Sequence, residues 1–200
     1  MFQRNFATMM IAGAVLLAMP AFSQTEGPAR MDVAVQASGS FVATTIQNGV
    51  NNSASDSGGV LGTYRYFFNT HSGVEVNYGY ALNTQKYSST SGATGVDTNT
   101  HEVSGAYVFR LPYRNVTPFA LAGAGALVFN PKNLAAVSTQ TRGSFVYGAG
   151  VDFRLTHGLF LRAEYRGFVY DSPTYSLQTL SGFDRVTHRA EPSVGFGYSF

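Results

Sequence analysis

The chain has 200 residues, with 13 Lys and Arg against 11 Asp and Glu, 44% hydrophobic and 12% charged residues, and no cysteine. The missing cysteine excludes a disulfide framework and any Cys-based metal site, and a formal charge of +2 without a block of like charge argues against a nucleic-acid partner. Glycine (22), Phe (16) and Tyr (12) are abundant, which suits strands rather than helices.

Met1–Ser23 carries one early positive charge, Arg4, and then an uncharged stretch centred on Met9-Met-Ile-Ala-Gly-Ala-Val-Leu-Leu-Ala-Met19. Ala21 and Ser23 place small residues third from last and last before a cut after Ser23. This pattern predicts a secretory signal peptide over residues 1–23. Its apolar core is shorter than the roughly 20 residues of a spanning helix.

From Gln24 onward one domain is predicted, built from eight runs that alternate with a period of two. The first sets Val33, Val35, Ala37, Gly39 and Phe41 against Asp32, Ala34, Gln36, Ser38 and Ser40. The second sets Val60, Gly62, Tyr64, Tyr66 and Phe68 against Leu61, Thr63, Arg65 and Phe67, and the third Val74 to Leu82 against Glu75 to Asn83. The fourth sets Val103, Gly105, Tyr107 and Phe109 against Glu102, Ser104, Ala106 and Arg110. In the fifth, Phe119, Leu121, Gly123, Gly125, Leu127 and Phe129 oppose a nearly all-alanine face. The sixth sets Phe145 to Phe153 against Gly148, Gly150, Asp152 and Arg154, and the seventh Leu159 to Val169 against Arg162, Glu164 and Arg166. The last begins near Thr187 and closes with Val194, Phe196, Tyr198 and Phe200 on one face and Ser193, Gly195, Gly197 and Ser199 on the other.

The links alternate in length. Those after the even runs are short (Asn69–Gly73, Pro112–Asn115, Thr156–Gly158), and those after the odd runs are long and polar (44–58, 84–100, 130–142 and 171–186). Such alternation around an even number of strands is the pattern of an all-β, eight-stranded antiparallel up-and-down transmembrane barrel, with short turns on one side and long loops on the other. In lipid the apolar face must point outward. The charged members, Arg65, Glu75, Glu102, Arg110, Asp152, Arg154, Arg162, Glu164, Arg166, Arg189 and Glu191, are then expected to form a structural charge network in the lumen. Tyr64, Tyr66, Phe68, Tyr78, Tyr80, Tyr107, Phe109, Phe145, Tyr147, Phe153, Tyr165, Phe196, Tyr198 and Phe200 are expected to supply the lipid face and its aromatic girdles. Pro192, inside the last run, forfeits a ladder hydrogen bond and is expected near the outer rim or in a bulge.

The ending Ser193-x-Gly195-x-x-Tyr198-x-Phe200 resembles the C-terminal signal that bacterial outer-membrane barrels present to their assembly machinery. Val116-Thr-Pro-Phe119 followed by Gly123-Ala-Gly125, the strand Leu161-Arg-Ala-Glu164-Tyr-Arg166 and the closing Gly-Tyr-Ser-Phe200 resemble the small OmpA-like and opacity-type outer-membrane proteins. The resemblance spans most of the chain after residue 23. It implies an outer-membrane location, lipid and lipopolysaccharide as neighbours, and no cofactor. No peptidoglycan-binding domain is expected after the barrel.

Candidate chemistry is sparse. His71, His101, His157 and His188 do not sit at metal-ligand spacing from one another, and His71 and His157 fall in short turns. Ser104 and His101 are the nearest approach to a nucleophile and its base, but they lie on opposite strand faces. Gly123-Ala-Gly125 and Gly148-Ala-Gly150 lack the Lys and the helix of a phosphate cradle. Asp56, Asp97, Asp171 and Asp184 are scattered through the long links, where they keep loops solvated. The expected function is therefore non-enzymatic: envelope integrity, or surface attachment to a ligand the sequence does not name. A small pore, a lipid A-modifying barrel enzyme and a soluble periplasmic ligand-binding barrel are the alternatives.

Overall fold

A computed structural model of the chain describes residues 30–42, 45–47, 50–54, 57–89, 92–131, 140–171 and 186–200. The expected signal peptide, Asp56, Asp184 and most of the third and fourth long links lie outside the described residues. The strands are β1 (Met31–Val42), β2 (Thr45–Gln47), β3 (Val50–Ala54), β4 (Ser57–Phe67) and β5 (Ser72–Ser89). They continue with β6 (Gly92–Arg110), β7 (Val116–Pro131), β8 (Gln140–Thr156), β9 (Leu159–Asp171) and β10 (Val186–Ser199). Every pairing is antiparallel, and the sheet closes because β6 pairs β5 as well as β7. The wall runs β1-β4-β5-β6-β7-β8-β9-β10, and β10 returns to β1. Closing the sheet leaves these eight strands without a free edge, which is the condition for strands to cross lipid.

Short turns join β4 to β5, β6 to β7 and β8 to β9. In the first, Asn69 Oδ1 accepts bonds from the backbone N–H groups of His71 and Ser72, both at 2.8 Å. The second places Arg114 at φ 51°, between the paired Tyr113 and Val116, and the third uses Gly158 at φ 80°. Met31 and Phe200 exchange backbone bonds of 3.0 and 2.9 Å at this same rim.

The long links differ from expectation in two places. Residues 84–100 are not an open loop: β5 and β6 stay in register from Ser72↔Phe109 to Ser89↔Gly92. The first long link contains β2 and β3, and β3 pairs the outer end of β5 through Asn51↔Ser88 to Ala54↔Gln85. These segments are polar on both faces, so hydrophobic alternation gives no sign of them, whereas backbone pairing needs no apolar face.

Strand β7 is also reversed from expectation. Phe119, Leu121 and Leu127 face the lumen and are buried, and Ala120, Ala122 and Ala124 face outward. The wall beside it is close enough to require small residues: a Cβ on Gly123 would lie 2.1 Å from the Gly105 carbonyl oxygen. Gly123 shares the lumen-facing parity of Phe119, Leu121 and Leu127, so the inward face of β7 alternates large side chains with a position that has no room for a Cβ.

Pro192 sits neither at a rim nor in a bulge. It pairs with Tyr165 on the β9 side, while on the β1 side the ladder stops between Ser38↔Ser193 and Phe41↔Ala190 and resumes in the same register. Below that gap the seam is tight, since a Cβ on Gly195 would lie 2.0 Å from the Val35 carbonyl oxygen. Gly195→Ala is therefore expected to push β10 off β1 and to lower the temperature at which the folded gel band converts to the unfolded one. An unchanged conversion temperature would show that the seam can widen freely.

The outer surface is layered. Tyr66, Phe68, Phe109, Phe153, Tyr198 and Phe200 are exposed near the short-turn rim. Farther along the strands Val35, Val76, Val103 and Val194 are exposed, together with Phe196, which pairs with Val35. Toward the long links come Tyr78, whose hydroxyl lies 2.9 Å from His101 Nδ1, and Tyr147, whose hydroxyl lies 2.8 Å from His188 Nε2. An outward face made of exposed aliphatic and aromatic side chains, over a charged interior, is the surface of a barrel in a bilayer. Tyr147 also covers Gly167, where its ring would meet an added Cβ at 2.5 Å.

Candidate functional site

The lumen is filled by charge. Arg65, Arg162 and Arg166 are completely buried, an arrangement that is stable only when the guanidinium groups are paired and hydrogen-bonded. Inward-facing positions recur every second residue, so Arg162, Glu164 and Arg166 on β9 stack along the barrel axis and meet partners from other strands.

Near the short-turn end Arg162 holds Asp152 in a two-pronged contact, Nε–Oδ1 at 2.7 Å and Nη2–Oδ2 at 2.8 Å. Asp32 stands 3.7 Å from Arg162 and 3.9 Å from Arg110. Midway, Arg65 Nε donates to Glu75 Oε2 at 2.6 Å, and its other nitrogens stand 3.7 Å from Asp152 and 3.6 Å from Glu164. Asn77 donates to Glu75 at 2.6 Å, and Gln36 donates to Thr63 and Glu164 at 3.4 Å while accepting from Ser193. Higher up, Arg166 reaches Glu102 at 2.9 Å, Glu164 at 4.0 Å and Glu191, while Arg189 bonds Glu191 and lies 3.9 Å from Glu102. The ion pairs are thus continuous from Arg110 to Arg189, with five arginines and six carboxylates.

Aromatic rings fill the space between these planes. Arg65 lies 3.9 Å above the Phe119 ring centre, Arg110 3.4 Å above Phe67, and Arg166 and Arg189 5.2 and 5.3 Å from Phe168. Cation–π contact of this kind suits a flat guanidinium whose edge is already engaged by carboxylates. Leu127, Val146 and Phe168 are fully buried toward the long-link side.

Ten of the eleven charged residues singled out from sequence take part in these ion pairs. Arg154 does not: it is exposed at the short-turn rim, just where the β8–β9 register shifts between Arg154 and Thr156. Asp32, which sequence reasoning left out, takes part instead. Its place on the same strand face as Gln36 was the available signal. Ser193 and Gly195 face the lumen side, whereas Tyr198 and Phe200 face outward. Ser104 is buried in the lumen and bonds Glu102 at 3.2 Å, while His101 sits on the outer surface against Tyr80. Among the described residues no group of three or more His, Asp or Glu is placed to hold a metal ion.

A model of the outer membrane protein beta-barrel domain matches residues 9–200. The chain belongs to this family. The barrel therefore sits in the bacterial outer membrane. Solved outer-membrane barrels share the fold. Ail, the attachment invasion locus protein of Yersinia pestis, is 21% identical, with 87% of this chain and 100% of Ail covered and a TM-score of 0.56. OprG from Pseudomonas aeruginosa is 13% identical, with 88% and 99% covered and a TM-score of 0.63. Neisserial surface protein A is 15% identical, with 85% and 97% covered and a TM-score of 0.58. No curated protein sequence matches the chain.

Proposed function

We propose that this outer-membrane barrel is a non-conducting, non-enzymatic structural element of the envelope, whose long outer links carry its surface interactions. The observation that supports this reading is the continuous ion-pair column from Arg110 to Arg189, packed between Phe67, Phe119 and Phe168. An eight-stranded lumen is just wide enough for side chains, and here arginines and rings occupy it across several levels. Catalysis of the serine type is disfavoured because the barrel wall separates Ser104 from His101. In the same reading, Ser193, Gly195, Tyr198 and Phe200 form the signal recognised by the barrel-assembly machinery.

Single-channel recording in planar bilayers tests the proposal. The refolded barrel is expected to give no defined unitary current. A reproducible open level would overturn the sealed-lumen reading and favour a small pore.

A further inference from the structure

Two histidines interrupt the apolar outward face of the barrel. On β6 the outward side chains, counted from the short-turn rim, are Phe109, Tyr107, Gly105 and Val103, and then His101. On β10 they are Tyr198, Phe196, Val194, Pro192 and Ala190, and then His188. Apart from tyrosine, each imidazole is the first side chain on its strand's outward face to carry a polar atom. A polar ring nitrogen without a partner is costly in hydrocarbon, so a depth near the end of the apolar layer suits both rings.

Each ring is held by a tyrosine that starts nearer the short-turn rim. The Tyr78 hydroxyl lies 2.9 Å from His101 Nδ1, and Tyr80 packs on the same ring with centres 5.1 Å apart. The Tyr147 hydroxyl lies 2.8 Å from His188 Nε2. Tyr147 reaches across β9 to do so, over Gly167, which pairs with Tyr147 on one side and Ala190 on the other. With the hydroxyl as donor, the proton of each neutral imidazole sits on its other nitrogen, Nε2 of His101 and Nδ1 of His188. Those nitrogens have no protein partner among the described residues, and both rings are only half-buried. Each is a donor at the depth where lipid headgroups begin. Of the acceptors found there, the phosphate is the charged one, and a charged acceptor makes the stronger bond.

We propose that His101 and His188 each bind the phosphate of a lipid in the leaflet on the long-link side. The tyrosine fixes the tautomer and the ring angle, and the remaining N–H donates to a phosphate oxygen. One site stands on β5 and β6 and the other spans β8 to β10, so lipid phosphates hold the wall at two separate places. Neither site depends on whether the lumen is sealed.

The test is magic-angle-spinning NMR of the refolded barrel with isotope-labelled histidine nitrogens, in vesicles of phosphatidylcholine with a minority of phosphatidic acid. The buffer is free of phosphate and held at about pH 8, where free imidazole is neutral. H71Q/H157Q, changed only in the exposed short turns, leaves His101 and His188 as the labelled rings. Phosphorus dephasing is expected to remove most of the signal of one protonated Nε2 and one protonated Nδ1, and little from the two tyrosine-bonded nitrogens. Adding G167A, whose new methyl would displace the Tyr147 ring, is expected to restore the Nδ1 signal and leave the Nε2 loss unchanged. Heat-modifiable gel mobility shows whether each variant is folded, and the H71Q/H157Q measurement decides the sites by itself if G167A is not. No dephasing at either ring, or dephasing only at the tyrosine-bonded nitrogens, would overturn the sites. Unchanged Nδ1 dephasing in folded G167A would overturn the role of Tyr147.

Discussion

Arg166→Met is expected to destabilise the barrel by about 3–5 kcal/mol, the usual cost of removing one partner from a buried ion pair. The methionine keeps much of the volume, so the loss is electrostatic rather than a cavity effect. Arg166 lies within 4.0 Å of three carboxylates, Glu102, Glu164 and Glu191, and is completely buried. Urea unfolding of the vesicle-embedded barrel, followed by gel mobility, gives the measurement. R166M/E191Q is expected to recover part of the loss, because neutralising one carboxylate removes a charge that the single variant leaves uncompensated. Equal stability of R166M and the wild type would mean that the lumen is wet enough to solvate free carboxylates, and would undercut the sealed-lumen reading as well.

Val76→Arg is the second large effect. Val76 is 58% exposed on the outward face of β5, away from the short-turn rim. A cation on the lipid face of a barrel costs about 2–4 kcal/mol at the bilayer midplane and about 0–1 near the interfaces. Phe68→Arg, at the short-turn rim, is therefore expected to cost much less in charge terms than V76R. The same pair in detergent micelles of varying thickness would move together with the depth of the apolar layer. If V76R cost no more than F68R, the lipid face would have to be redrawn.

Much of this wall could be read from alternation. In β10, Val194, Phe196, Tyr198 and Phe200 point outward, as the period of two requires, and the charges of β9 point inward. Alternation alone does not say which face is which, however, and β7 shows the consequence. Both its faces lack charge, so nothing in Phe119-Ala-Leu-Ala-Gly marks the side toward lipid; only the closed barrel shows Phe119 and Leu121 turned inward. Arg154 had the parity of Asp152 but lies at a register shift, which no local pattern reveals. The extensions of β5 and β6 leave no mark in the alternation because their polar residues alternate with other polar residues. The contacts of Gln36 with Thr63, Glu164 and Ser193 join four strands and follow only from closure of the sheet.

The break opposite Pro192 bears on how the barrel shuts. Each other ladder of the wall joins strands that follow one another along the chain or are separated by a single link. The pairing of Asp32 with Ser199 instead brings together nearly the whole described length, and the entropy of that one long loop must be met before any of its hydrogen bonds form. Because the ladder is divided, seven of its nine pairs form one unbroken stretch, Asp32–Ser38 against Ser193–Ser199, and only two, at Phe41 and Val42, lie beyond the gap. The rate of closure is then expected to depend chiefly on that seven-pair stretch. Changes within it will alter how fast the barrel forms, while changes above the proline will alter mainly how fast it opens.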